Sequence, residues 1–247
     1  MRVRASLRAI AGKTAMAVLV NTVRIIAKFE KIDSARFVSH LDVQRLFQRA
    51  FRRASVPAAY SQGFNPHQVL SFATALSVGF TSSAEWLDLR LEKEVKPESF
   101  INLVNAALPN GFRVLNAVLA EDALPALSAL MCAADYTVQF GTEVNVQALH
   151  EAVNALLSGE IVVSKKTKSG MKDVDIRPQI YRFILQEPDK LMITGEVSAD
   201  GSLNVDLLMG ALFKRMLREY PYTVHRDTLY SKDGRIMPQY DAEDKRS

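Results

Sequence analysis

Between residues 22 and 232 the hydrophobic period changes in one order, and then in the same order again. Residues 22–31 ("TVRIIAKFEK") are rich in β-branched side chains and read as a strand. Ser39 offers an N-cap with Asp42 three positions on, and Val43, Leu46, Phe47, Ala50, Phe51 and Ala54 recur at spacings of three and four. That spacing predicts an amphipathic helix over 40–54. Strand-like segments follow around 68–79 and 84–92. A helix opens near Pro97 and stops at Pro109-Asn110-Gly111, and "FRVLNAVLA" closes the unit as a strand. Beyond a join at 119–133, "DYTVQF" alternates as a strand and 145–158 is helical. The stretch "EIVVSKKTKSGMKDVDIRPQIYRFILQ" gives two strand-forming pieces about a basic loop, and "KLMITGEVS" alternates again. A helix over 204–218 and the strand "YTVHRDTLYS" complete the second round.

The order strand–helix–strand–strand–helix–strand, written twice, predicts an α+β protein. Its expected architecture is two tandem ferredoxin-like (βαββαβ) domains with antiparallel sheets, over 22–120 and 134–232. The repeat is one of pattern, with no residue-level identity between the halves. A hydrophobic content of 48% and a charged content of 23% in 247 residues suit folded cores and exclude wholesale disorder. Residues 1–21 have a basic start and a weak apolar middle; a loosely ordered extension is preferred to an export signal. The apolar run 15–20 is too short to cross a bilayer. The polar tail 233–247, with Gly234 and Pro238, is expected to fray. A single cysteine, Cys132, allows neither an internal disulfide nor an iron–sulfur cluster of the chain's own, which fits a reducing cytoplasm. Four histidines without close His/Cys spacing argue against a metal site, and no cofactor is expected.

The net charge of +4 is small, so any polyanion must be met by local clusters. The polar side of the helix 40–54 carries Arg45, Arg49, Arg52 and Arg53 beside Gln44 and Gln48, with no carboxylate among them. Guanidinium groups bind phosphate bidentately and keep their charge, so this face reads as a phosphate-tracking ridge; the plain alternative is a solvated face. The following loop, "YSQGFNPHQVLSF", sets Gly63, Asn65 and Pro66 in a turn, with Ser61, Asn65 and Ser71 as donors and His67 as donor or proton carrier. His40 stands where the helix dipole disfavours its protonation and favours a nearby anion. The second half has a basic hairpin, with Lys165, Lys166, Lys168, Lys172 and Arg177 around Gly170. It suits a grip on a polyanion, against the alternative of a solvated tip whose lysines discourage edge pairing. Trp86 is expected in the core.

Four motif blocks carry a resemblance. Arg36, Phe37, Ser39, His40, Leu41 and Asp42 form an Arg-Phe-x-Ser-His-Leu-Asp opening. Ser61, Gly63, Phe64 and Pro66 follow as Ser-x-Gly-Phe-x-Pro, and Leu76, Gly79, Ser82 or Ser83, and Glu85 as Leu-x-x-Gly-x-x-Ser-x-x-Glu. Lys172, Asp175, Arg177 and Pro178 supply a later basic stretch ending in Asp-x-Arg-Pro. Over about residues 22–230 the chain resembles a bacterial family of radical-SAM-associated proteins with a domain of unknown function. The loop "ADGSLNVDLL" lacks the arginine and proline expected after Gly-Ser there. The resemblance implies a radical-SAM protein as partner. A more distant, architectural likeness joins the chain to tandem ferredoxin-like RNA-processing proteins, in which a His and a Gly-rich loop handle RNA.

Three functions follow as expectations. The first is a cytoplasmic accessory protein that binds structured RNA (tRNA or rRNA) and presents it to a radical-SAM partner, without catalysis of its own. Its RNA- or anion-binding set is Arg36, His40, Arg45, Arg49, Arg52, Arg53, Ser61, Gly63, Asn65, His67, Ser71, Lys165, Lys166, Lys168, Lys172 and Arg177. The second is a metal-independent endoribonuclease with His40 or His67 as base. The third is a protein-docking subunit whose arginine helix meets an acidic partner.

Overall fold

The β-branched run over residues 22–31 becomes a strand with a neighbour on each side. The computed structural model describes residues 22–167, 170–186, 189–198 and 201–240, so the expected extension over 1–21 lies outside the described residues. Strand β1 (Val23–Lys31) runs antiparallel to β3 (Thr81–Leu91) on one side and to β4 (Phe112–Ala120) on the other. A three-residue strand, β2 (Leu70–Phe72), lies along the other edge of β3. Two helices, α1 (His40–Arg53) and α2 (Pro97–Ala107), cover one face. Phe47 and Phe51 of α1 and Phe100 of α2 are fully buried against Ile25, Ala27, Leu87 and Leu89. Phe29 meets Phe47 edge-on at 4.7 Å between ring centres. The turn from α2 to β4 needs Gly111, whose φ is +86°. A Cβ there would stand 2.8 Å from the Ala35 side chain and 2.9 Å from the Ile32 carbonyl.

A short helix, α3 (Leu127–Leu130), leads into β5 (Met131–Phe140) and α4 (Val146–Leu157). The basic segment folds into a separate two-stranded ribbon, β6 (Val162–Thr167) and β7 (Gly170–Asp175). The chain then returns to the main sheet through β8 (Ile180–Gln186) and β9 (Lys190–Glu196), and ends with α5 (Val205–Met216) and β10 (Tyr222–Ser231). Three strands therefore stand where two pieces were expected.

The architecture is mixed α+β, with one eight-stranded sheet in the order β4-β1-β3-β10-β5-β9-β8 and β2 beside β3. Where antiparallel sheets were expected, the strands form a single mixed sheet with one parallel pair. Because β2 covers only Leu87 to Leu89 of β3, the first residues of β3 keep a free edge. There β10 pairs in parallel, His225 against Thr81 and Arg226 against Ser82. The Ser82 hydroxyl donates to the Arg226 carbonyl at 3.1 Å, and Thr81 Oγ1 lies 2.8 Å from His225 Nδ1. The join removes an exposed edge from each half. The larger core crosses it, placing Ile26, Leu76, Phe80 and Trp86 in one cluster with Leu149, Leu208 and Leu212.

Part of the tail 233–247 packs against the body of the protein. Met237 is buried, the Ser231 N–H donates to the Pro238 carbonyl at 2.9 Å, and Tyr240 stacks near Tyr181 and Tyr230. Residues 241–247 lie outside the described set.

Candidate functional site

Helix α1 starts where the sequence places it. Ser39 Oγ accepts the Asp42 N–H at 3.3 Å and donates to Asp42 Oδ2 at 2.7 Å, closing a reciprocal cap. These bonds, with Arg45 behind them, hold the exposed Asp42 carboxyl below its ordinary range. Asp42 also pairs with Arg45 at 3.3 Å, so the arginine ridge has one carboxylate after all, supplied from its own first turn. Arg49 and Arg52 are exposed, and their side chains make no hydrogen bond or ion pair among the described residues. Arg53 is engaged, donating to the Ala107 carbonyl at the end of α2. Arg36 lies over the Phe37 ring at 4.8 Å.

The Gly63 loop is a closed turn. Ser61 Oγ accepts the His67 N–H at 3.1 Å and lies 2.9 Å from His67 Nδ1, while the Ser61 N–H donates to the His67 carbonyl at 2.8 Å. Gly63 takes φ +123°, and Phe64 projects fully into solvent. His67 and Ser71 line a cleft of about 310 Å³ with Arg24, Asp88 and Arg90. Arg24 is buried there with both Asp88 oxygens on its Nε, at 3.0 and 3.1 Å. Asn65 turns its carbonyl toward His67 and donates nothing among the described residues.

His40 belongs elsewhere. Its ring meets Phe72 edge-on at 5.4 Å, and with Lys31, Glu85 and Phe29 it lines a separate, narrow pocket under α1. Strand β2 divides the two histidines, since Phe72 turns to the α1 side while Ser71 sits opposite Asp88. His40 and His67 therefore line different pockets. Burial lowers the His40 proton affinity, with Lys31 adding to that and Glu85 opposing it.

Beside His40, at the join of the two halves, stands a cluster that sequence reasoning missed. Lys31, Glu85 and Arg226 are all buried. Arg226 Nη1 donates to Glu85 Oε1 at 2.9 Å and Nη2 to the Ala75 carbonyl at 3.1 Å. Lys31 Nζ donates to the Val38 carbonyl at 2.9 Å. Burial lowers the Lys31 proton affinity, against the pull of Glu85 and with the push of Arg226. In the sequence Glu85 stands out only as part of a motif, and Lys31 and Arg226 not at all. Their signal is phase: Lys31 follows Phe29 by two and Arg226 follows Val224 by two, on strand positions whose neighbours are core.

The hairpin lysines divide. Lys165 faces Lys172 across the ribbon and lines a cavity at the join. Lys166 pairs through its backbone with Met171, its side chain outside the described set, as is the whole of Lys168. Arg177 is held by structure, donating to the Leu157 carbonyl at the end of α4 at 3.1 Å and to the Ile180 carbonyl at 3.3 Å. Trp86 is core, as expected. Among the described residues no group of three or more His, Cys, Asp or Glu is placed to hold a metal ion. No helix among them is long and apolar enough to cross a membrane.

Fold and site together define a mixed α+β protein with an exposed arginine helix on one half and a charged seam between halves. Residues 24–206 match a family described as an uncharacterized protein conserved in bacteria (DUF2344), and the chain belongs to that family. No curated protein shows significant similarity to it. Among solved structures, an unknown protein from Galdieria sulphuraria is 12% identical and aligns over 83% of this chain and 99% of its own. Its TM-score of 0.26 is too low to inform the fold.

Proposed function

We propose that the chain is a cytoplasmic RNA-binding accessory protein that holds a structured RNA, a tRNA or rRNA, on the arginine face of α1. The observation that carries this is the state of that face. Arg45, Arg49 and Arg52 are exposed on one helix, and only Arg45 has a carboxylate partner among the described residues. A merely solvated helix mixes charges of both signs, whereas unpaired guanidinium groups along one face suit a phosphate backbone. Strand order supports two ferredoxin-like units behind that surface. β4-β1-β3 with β2 on β3, and β10-β5-β9-β8, place equivalent strands in equivalent positions in each half. The radical-SAM partner rests on the motif resemblance and supplies any radical chemistry.

Binding of a labelled structured RNA, followed by fluorescence anisotropy across a salt series, tests this. Log affinity should fall steeply with log salt, and the Arg45→Ala, Arg49→Ala, Arg52→Ala variant should flatten the slope by about 0.7–0.9 for each phosphate it no longer neutralises. A slope near zero in the unaltered protein sinks the proposal.

One observation favours a second reading. His40, half-buried beside Lys31 and Glu85, has its proton affinity lowered by burial, which favours the neutral ring that a general base needs to take a proton from a 2′-hydroxyl. An endoribonuclease of this kind would cut RNA in EDTA and lose the activity in His40→Ala. Intact RNA after prolonged incubation removes it.

A further inference from the structure

We infer that the seam between the two halves is a phosphate-binding site, separate from the α1 ridge and independent of the RNA reading. Two buried cations there, Lys31 and Arg226, share one buried carboxylate, Glu85. A buried positive excess is costly unless an anion or a change of protonation answers it. Arg226 is 4% exposed, and its Nε hydrogen meets no acceptor, although both terminal nitrogens are engaged. Buried guanidinium donors are ordinarily all satisfied, so the orphan marks a missing acceptor.

Space for that acceptor is adjacent. Arg226 forms part of the wall of a cavity of about 180 Å³, with Lys165, Thr74, Ser77, Ser202 and Asn204 also in its lining. No carboxylate lines it among the described residues. Asn204 caps α5 through its side chain, which accepts the Leu207 N–H at 3.1 Å. The first N–H groups of that 12-residue helix therefore begin at the cavity wall, where the helix dipole favours an anion. Lys165 stands directly opposite Lys172 across the ribbon, an arrangement of like charges that is unfavourable without an anion between or beside them.

The Ser77 hydroxyl, the Arg226 Nε–H, the Lys165 ammonium and the α5 N-terminus are together donors suited to a tetrahedral oxyanion, and the cavity has room for a phosphate group. The phosphate can arrive as a free monoester dianion or as a phosphodiester of a nucleotide chain, and the same donors recognise both.

The test is a titration of the full chain with inorganic phosphate and, separately, with a dinucleotide phosphodiester, at low ionic strength. It is read by calorimetry and by nitrogen–proton NMR. Saturable binding of at least one is expected, with shifts at Ser202 to Asp206 and in the Arg226 Nε–H resonance. Tighter inorganic phosphate assigns the monoester source, and a tighter dinucleotide the phosphodiester source. Lys165→Glu, a change at an exposed ribbon position, should weaken binding by at least about tenfold. Absence of saturable binding to either probe overturns the inference, as do shifts confined to α1 or an unchanged affinity in Lys165→Glu. The RNA reading fails on a different result, the flat salt response of RNA binding, so the two are separable.

Discussion

At the scale of single residues, the decisive group is Glu85. Among the described residues it is the carboxylate beside two buried cations, and it ties β3 to β10 through Arg226. Removing one partner from a buried ion pair leaves an uncompensated charge in a poor dielectric, which costs about 3–5 kcal/mol. Glu85→Gln should lose that much in urea or guanidinium denaturation, and adding Arg226→Met should recover a large part, because the stranded charge goes with it. A loss under about 1 kcal/mol in Glu85→Gln would mean that water or a bound anion already neutralises the cluster. His40 gives the pH signature. Its proton affinity in the folded chain is below the ordinary 6.5, chiefly through burial. Between the depressed value and 6.5 the unfolded chain binds more protons than the folded one, so stability rises with pH through that window and falls on acidification. His40→Gln should lose less stability than the unaltered protein between pH 7 and pH 5.5, followed by denaturation midpoints. Equal losses would remove His40 as the titrating group.

At the scale of elements, legibility in the sequence depends on how much of each element's energy is local. Helix α1 is readable to within a residue because its apolar spacing, its cap and its first-turn acid agree. The cap is testable: Ser39→Ala should cost about 1 kcal/mol, while Ser39→Asp should stay close to neutral. A Ser39→Ala variant as stable as the parent would assign the helix start to tertiary packing alone. Strand β2 is shorter than its pattern suggests, since 68–79 is rich in apolar residues but the strand spans only Leu70–Phe72. The chain beyond it folds over the join: Leu76 and Phe80 are buried in the larger core, and the Gly79 N–H donates to the Arg36 carbonyl at 2.7 Å. Those contacts are with residues far away in sequence, and no local period encodes them. The same limit hides Lys31 and Arg226. A cation on an inward strand position is a visible anomaly, but its partner comes from the other half of the chain. The Gly63 loop is legible as a turn, and a polar cleft does lie beside it. The α1 ridge and that loop, adjacent in sequence, face different surfaces because β2 passes between them. Arg177 and Arg53 read in the sequence as available cations and are instead bound to helix-end carbonyls, a use of arginine that composition does not separate from anion binding.

At the scale of the molecule, the tandem pattern reads as two units and the sheet reads as one. The parallel pairing of β3 with β10 is short, but it brings Ser82, Glu85 and Arg226 together, and the larger core runs across it. Separating the halves would leave Arg226 without its carboxylate and uncover Leu76, Phe80 and Trp86, which share their cluster with residues of α4 and α5. Cooperativity follows from that sharing, because neither half keeps its buried surface alone. The chain contains a single tryptophan, Trp86, on the N-terminal side of the seam, and helices on both sides contribute to far-ultraviolet circular dichroism. Unfolding followed by Trp86 fluorescence and by circular dichroism should therefore give one coincident transition with the same midpoint. Two resolved transitions, with fluorescence following only one, would show that each half is stable on its own and that the seam is a contact between finished domains. Coincidence would place the cation pair and its carboxylate inside a single folding unit, where a phosphate bound at the seam raises the midpoint of the whole chain by mass action.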